Sequence, residues 1–388
     1  MKSLYNLKSL TAAVLALLAL PLSAQDMALV HTDPLSTEPA TEVAEEKEEE
    51  VPSFTLTGYV DAYYQANPLN NEADEPLLAP TSFTGFSNTF GIGNVNLLAE
   101  KSLGKVSFVG QIGFGPRAVA ANGGDGNFSS TVQQLYVAYS PSENVTFTLG
   151  NFGTFVGYEV IDAPANMNYS TSYLFSNGPF YHTGAKVDVA IAEGFGAMVG
   201  IFNDTDGKID AVPGKHLGAQ LSFESGGFAG YLNGLYGKDS AGETSEDEDD
   251  TNEFQIDFTG TFEVSETLMF GLNASSYGTS VDGNDAGGFF GTALYSTIGL
   301  TENANLSLRA EYFSENAAEG VSTDMRSVLG LTATGNITIG DLRIMPEVRF
   351  DNGSNFTDIN GVDSAIDFGG DADDTGALTL ILAAVYSF

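Results

Sequence analysis

The chain has 388 residues, 43% of them hydrophobic and 17% charged, and a formal net charge of −37 from 51 acids against 14 bases. Such a surface repels nucleic acid and attracts cations, and most of its acids read as solvated surface. The sequence has no cysteine, which excludes a disulfide scaffold and a thiolate metal site; Phe (27) and Tyr (16) are plentiful, but there is no Trp.

Lys2 and Lys8 give the chain a positive start, Leu10 to Leu22 is an apolar run, and Leu22-Ser23-Ala24 offers a cleavage site before Gln25. Residues 1–24 are therefore expected to be a secretory signal peptide, too short in its apolar part to span a bilayer as a helix. Residues 25–52 contain Pro34, Pro39 and the run from Glu42 to Glu50 with few apolar side chains. They are expected to form an acidic, disordered periplasmic linker.

From residue 53 to 388 the dominant period is two. Phe54, Leu56, Val60 and Tyr64 alternate with Thr55, Thr57, Asp61 and Gln65, and the pattern returns in Leu342, Ile344, Val348 and Phe350 against Arg343, Glu347 and Arg349. Strict alternation marks strands with one apolar face. It predicts sixteen strands, at 54–66, 88–101, 104–115, 131–140, 144–152, 181–192, 195–204, 215–225, 227–237, 252–264, 267–278, 288–300, 304–314, 325–338, 341–352 and 376–388, with no convincing helical period between them. Short turns, such as Glu193-Gly194 and Gly340, alternate with eight longer loops, such as 67–87, 116–130, 153–180 and 353–375.

Long loops on one side and short turns on the other, with strands of about ten residues, predict an all-β, transmembrane, antiparallel outer-membrane barrel of sixteen strands with periplasmic termini. Apolar outer and polar inner faces suit lipid outside and water inside; a soluble sandwich would need a second layer to bury the apolar faces. Aromatic residues near strand ends (Phe54, Tyr64, Phe90, Phe114, Tyr139, Phe180, Phe254, Phe262, Tyr277 and Phe289) are expected to form the interfacial girdle. The final strand, LTLILAAVYSF ending in Phe388, resembles the C-terminal signature read by the barrel-assembly machinery.

One stretch breaks the pattern: Gly150 to Gly184, GNFGTFVGYEVIDAPANMNYSTSYLFSNGPFYHTG, is rich in apolar and aromatic residues and carries two acids, Glu159 and Asp162. An apolar loop of this length left in water is costly. A ring of sixteen strands is too wide for wall side chains to fill, so this third external loop is expected to fold into the lumen and narrow an aqueous channel.

That stretch, the opening strand TGYVDAYY (Thr57 to Tyr64) and the pair Gln133-Gln134 before LYVAY resemble the porin-2, OmpL-like group of β-barrels common in Bacteroidetes-type bacteria. The resemblance covers about Phe54 to Phe388. It departs at Met167, where members often carry Trp, and near Thr171, where they carry a basic residue. It implies outer-membrane diffusion of small solutes; the reading as a whole is passive diffusion of small hydrophilic solutes or ions, with no cofactor, metal or catalysis expected.

The expected constriction residues are Glu159, Asp162, Asn166, Asn168, Tyr169 and His182, and the expected pore-lining bases are Arg309, Arg326, Arg343, Arg349, Lys186 and Lys105. Parity places those arginines inward on strands thirteen to fifteen. They are read either as a wall facing Glu159 and Asp162 across a polar gap, or as partners of the neighbouring acids Glu311, Glu347 and Asp351. The expected partners are membrane lipid, lipopolysaccharide, the assembly machinery and small solutes, with a homotrimer left open. The competing reading is a structural or adhesive barrel with a closed lumen, whose acidic loops bind cations or partners.

Asp204-Thr205-Asp206-Gly207 with Asp210 resembles the start of a calcium loop but lacks the closing glutamate. The runs 246–250 and 371–374 read as solvated acids. A nucleophilic site at Ser170 or Ser172 with His182 is poorly supported, and no phosphate, zinc or dinucleotide fingerprint is present.

Overall fold

The computed structural model describes residues 54–68, 82–84, 88–123, 128–209, 214–239, 251–318, 327–354 and 376–388. The signal peptide and linker expected for residues 1–52 lie outside these, as do Arg326, Asp210 and the acidic runs 246–250 and 371–374.

The period-two segments form sixteen strands: β1 (Phe54–Ala66), β2 (Thr89–Leu103), β3 (Val106–Phe114), β4 (Val132–Ser142), β5 (Val145–Gly153), β6 (Tyr181–Ala192), β7 (Phe195–Phe202), β8 (His216–Ser225), β9 (Phe228–Asp239), β10 (Thr251–Ser265), β11 (Leu268–Val281), β12 (Asn284–Thr301), β13 (Ala304–Asn316), β14 (Ser327–Ile339), β15 (Leu342–Ser354) and β16 (Gly376–Ser387). Each pairs antiparallel with its sequence neighbours, and β1 closes on β16, with Tyr59 opposite Ser387 and Ala66 opposite Leu380. Closure removes every open edge, the condition for a sheet to stand in lipid.

Alternation sorts the side chains as the pattern predicts. On β1, Phe54 and Leu56 are 59% and 57% exposed while Asp61 and Gln65 are 5% and 1%. Leu294 on β12 and Leu308 on β13 face out, whereas Arg309 and Glu311 are buried. The exposed face carries Phe, Leu, Ile and Val; the inner face carries Asn, Gln, Thr and paired charges.

Three details differ from the sequence reading. The connection between predicted strands 267–278 and 288–300 is not a long loop. β11 and β12 run on to a two-residue turn at Asp282 (φ 51°) and Gly283 (φ 82°), the positive-φ pair that matches the twist of a hairpin. The aromatic girdle loses three members: Phe289 is buried, Tyr277 stacks on it at 5.3 Å, and Phe180 packs against Phe83 and Phe175. Among the described residues two short α-helices interrupt the loops, α1 (Pro116–Asn122) and α2 (Tyr173–Asn177), too short for their period to be seen in sequence.

One irregularity in the ladder bears on the site. Opposite Asp61 the register of β1 and β2 shifts, so that Gly93 and Asn94 face the one acid. A Cβ at Gly93 would sit 1.9 Å from the Asp61 carboxylate. The bulge in β2 leaves room over Gly93 for the inward-facing Asp61 carboxylate and gives it the Asn94 N–H at 2.6 Å.

Because Leu294 lies near the middle of β12 on the outer face, Leu294→Arg is expected to cost about 2–4 kcal/mol, as a cation at the bilayer midplane does. Urea unfolding in phospholipid vesicles measures it; a cost below about 0.5 kcal/mol contradicts a lipid-facing position.

Candidate functional site

The stretch between β5 and β6 is the most thoroughly buried connection described. From Asn151 to Gly184 no residue is exposed. Its apolar side chains join inward-facing residues of the ring in separate clusters: Phe155 and Val156 with Phe152, Met198, Phe202 and Leu235; Ala163 and Tyr169 with Tyr59, Tyr63, Met345 and Ile381; Tyr173 and Leu174 with Phe289, Tyr295 and Phe313.

Burying irregular backbone removes its N–H and C=O groups from water, so each needs a partner. The ring supplies them by charge. Glu347 accepts from the amides of Tyr169 (2.7 Å) and Ser170 (3.1 Å), and Glu311 from those of Tyr173 (2.9 Å) and Leu174 (2.8 Å) at the start of α2. Asp257 on β10 accepts from Gly157 N (3.0 Å), and the loop's own Glu159 from Ser172 N (2.6 Å). The carbonyls are met by arginine. Arg309 donates to Ser170 O (2.6 Å), Arg349 to Thr171 O (2.7 Å), Arg343 to Ala163 O (2.9 Å) and Pro164 O (2.8 Å), and Arg117 to Ile161 O (3.2 Å).

The arginine wall therefore meets the loop without a gap. Arg309 forms a buried pair with Glu159 at 2.6 Å. Asp162 does not face the arginines; it turns to the opposite side and accepts from Gln111 (2.8 Å), Gln133 (2.9 Å) and Tyr59 (3.1 Å) on β3, β4 and β1. Pairing with a neighbouring wall acid occurs at Arg349, which grips Asp351 at 2.7 and 2.9 Å.

The other expected residues divide. Asn166 clasps Val160 through both its amide and carbonyl groups, Asn168 donates to Thr334 at 2.6 Å, and the Tyr169 hydroxyl donates to Asp61 at 2.7 Å. His182 sits between Phe155 and Phe202 with Nε2 3.0 Å from the Thr154 hydroxyl. Lys186 is buried beside Asp188 at 3.0 Å. Lys105 does not join them: it is exposed in the β2–β3 turn and contacts the Pro141 carbonyl. Met167 and Thr171, where the family resemblance is weakest, touch Thr297 and Arg349.

Asp61 and Arg117 are the members that sequence reasoning did not select. Asp61 lies 3.7 Å from Arg117, whose guanidinium covers the rings of Phe83 (4.4 Å) and Tyr169 (5.2 Å). The inward parity of Asp61 in an otherwise uncharged TGYVDAYY strand is the signal that could have found it. Ser170 and Ser172 are occupied structurally, the first bonded to Arg309 and the second capping α2 through Phe175 N. Among the described residues no three His, Cys, Asp or Glu side chains gather in a way that could hold a metal. Asp206, an acid of the incomplete calcium-loop pattern, accepts from Phe180 N (2.8 Å) and Tyr181 N (3.0 Å), tying down the end of the third loop.

A closed sixteen-stranded ring with an apolar outside and a polar, charged inside defines a β-barrel of the Gram-negative outer membrane. A sequence model of the family described as "Putative beta-barrel porin-2, OmpL-like" matches residues 53–388, and the chain belongs to that family. The fold is similar to the anion-selective porin from Comamonas acidovorans (12% identity, TM-score 0.57, 87% of this chain and 100% of that one) and to OprB of Pseudomonas putida (13%, 0.55, 87% and 94%). It is also similar to the outer membrane channel DcaP of Acinetobacter baumannii (15%, TM-score 0.53, 89% of this chain and 100% of that one). No curated protein matches the chain. As a member of a porin family with a porin fold, the protein is a channel for passive diffusion of solutes.

Two outcomes follow from the site. Removing one partner of the Glu159–Arg309 pair strands a buried charge, so Arg309→Ala is expected to cost about 3–5 kcal/mol, and the Glu159→Ala/Arg309→Ala double variant less than the sum of the single costs. A double-mutant cycle by urea unfolding checks it, and strict additivity contradicts the coupling. Burial pushes the Asp206 carboxyl up to about 6 from its ordinary value of 3.8. A carboxyl raised on folding is penalised when ionised, so stability falls as pH rises through the 3.8–6 window and levels above it. Asp206→Asn is expected to gain stability relative to the wild type across that window. A difference that stays flat with pH contradicts the assignment.

Proposed function

We propose that the protein is a narrow, non-catalytic diffusion pore for small hydrophilic solutes or ions, with the third loop setting its bore. The observation that carries this reading is that no residue from Asn151 to Gly184 is exposed, the segment packing against inward-facing side chains. A segment held at both flanks and tied to acids and arginines around the ring has little freedom to swing out with passing solute. Glu159, Asp162, Asn166, Asn168, Tyr169 and His182 are the loop-side constriction, and Arg309, Arg343, Arg349 and Lys186 the wall side. Selectivity then follows from the size and hydrogen-bonding character of what remains open, since Glu159 and Arg309 neutralise each other at contact distance.

The trimer form recorded for OmpT of Vibrio cholerae supports a homotrimer here. Short turns at the end that carries both termini support a periplasmic location for those termini. The alternative is a structural barrel with a closed lumen, and conductance separates the two readings. In planar-bilayer recordings the wild type is expected to show small, discrete steps that pass small sugars and exclude larger ones. Deletion of residues 163–172 is expected to raise conductance severalfold. A wild type and a deletion variant that are both silent, although both form folded barrels, would establish the structural reading instead.

A further inference from the structure

We propose that the outer wall of β9–β15 carries a binding groove for one acyl chain of an amine-headed, zwitterionic phospholipid from the periplasmic leaflet. The outer face there is dented by a cavity of about 830 Å³. Its origin is a register effect. One rung of the ladder runs from Phe228 on β9 to Val348 on β15, and the next from Gly260 on β10 to Phe350 on β15. Along these rungs Gly260, Ser296, Ala310 and Ala333 interrupt the large side chains that stud the rest of the wall. Phe228, Phe262 and Phe270 stand along its lower end.

The groove has the course of a lipid tail. Seven strands enclose six gaps of about 4.8 Å, so it is about 29 Å long. Rungs lie across strands tilted by about 40°, so the groove climbs about 19 Å, reaching past the middle of a hydrocarbon core about 30 Å thick. It climbs away from the periplasmic side: Phe228 is the first residue of β9, whereas Val348 lies well inside β15. A second barrel presents a convex wall, which would bridge such a dent and leave it empty; a flexible chain fills it. At the foot, Glu224 and Glu266 are exposed, and neither 224–228 nor 263–268 contains Lys or Arg. That charge favours an ammonium headgroup and repels an anionic one.

The full chain in detergent micelles is offered equimolar phosphatidylethanolamine and phosphatidylglycerol, and retained lipid is read by native mass spectrometry. The expected result is one tightly held phosphatidylethanolamine, preferred about tenfold, equivalent to about 1.4 kcal/mol. Ala310→Leu/Ala333→Leu fills the groove and is expected to abolish retention while channel conductance stays at the wild-type level, which shows that the barrel is intact. Glu224→Lys/Glu266→Lys is expected to keep retention and reverse the headgroup preference. Equal retention by the filled variant, or equal retention of both lipids by the wild type, overturns the proposal. So does a dimer mass that the filled variant dissolves, which assigns the groove to a second copy.

Discussion

A buried loop must find partners for its backbone, and that constraint organises the interior of this barrel. Strands satisfy their amides through the ladder, and external loops satisfy theirs with water. The stretch from Thr154 to Phe180 can do neither, because it is largely irregular and none of it is exposed. Each unpaired buried amide or carbonyl would cost about 1–3 kcal/mol. The ring answers with ions, joined by Arg117 of α1: Glu311, Glu347 and Asp257 take amides, and Arg117, Arg309, Arg343 and Arg349 take carbonyls. Charge-assisted bonds are the stronger kind, and both signs are needed because a peptide unit presents one donor and one acceptor.

This explains why a chain so poor in bases places most of its arginines on one arc of the inner wall. They are not a free electrostatic surface facing an acidic loop across water. They are the carbonyl donors for the loop, and the charges of Arg309 and Arg349 are balanced locally by Glu159 and Asp351. The neighbouring acids Glu311 and Glu347 are likewise bonded to loop amides. In the proposed pore, selectivity therefore comes less from a field between opposed walls than from the shape of the space the tethered loop leaves.

The fold was legible because a barrel repeats one rule sixteen times. Alternation and turn spacing fixed every strand to within a few residues, and the apolar composition of Gly150 to Gly184 marked it as the segment to be enclosed. What escaped was local. The Asp282-Gly283 turn needed the recognition that two positive-φ residues can close strands longer than the membrane requires. Phe289 and Tyr277 looked like girdle residues by position, but the parity of their strands turns them inward, where they pack with Tyr173 and Leu174. Glu159 and Asp162, three residues apart, meet opposite walls, Arg309 on one side and Gln111 on the other, along a path of irregular backbone. Which acid meets which amide depends on that path, and periodicity carries no record of it. Asp61 shows the same limit: its parity was visible, but the bulge that aims it at Tyr169 depends on Gly93 in the neighbouring strand.

The most direct test of this account is amide hydrogen exchange of the third loop in the folded barrel. If ionic partners on the wall replace secondary structure, the amides of Tyr169, Ser170, Tyr173 and Leu174 exchange as slowly as those of the strands, and Glu311→Ala/Glu347→Ala releases these four while leaving the strands protected. Exchange of these amides at the rate of a solvated loop in the wild type would contradict it.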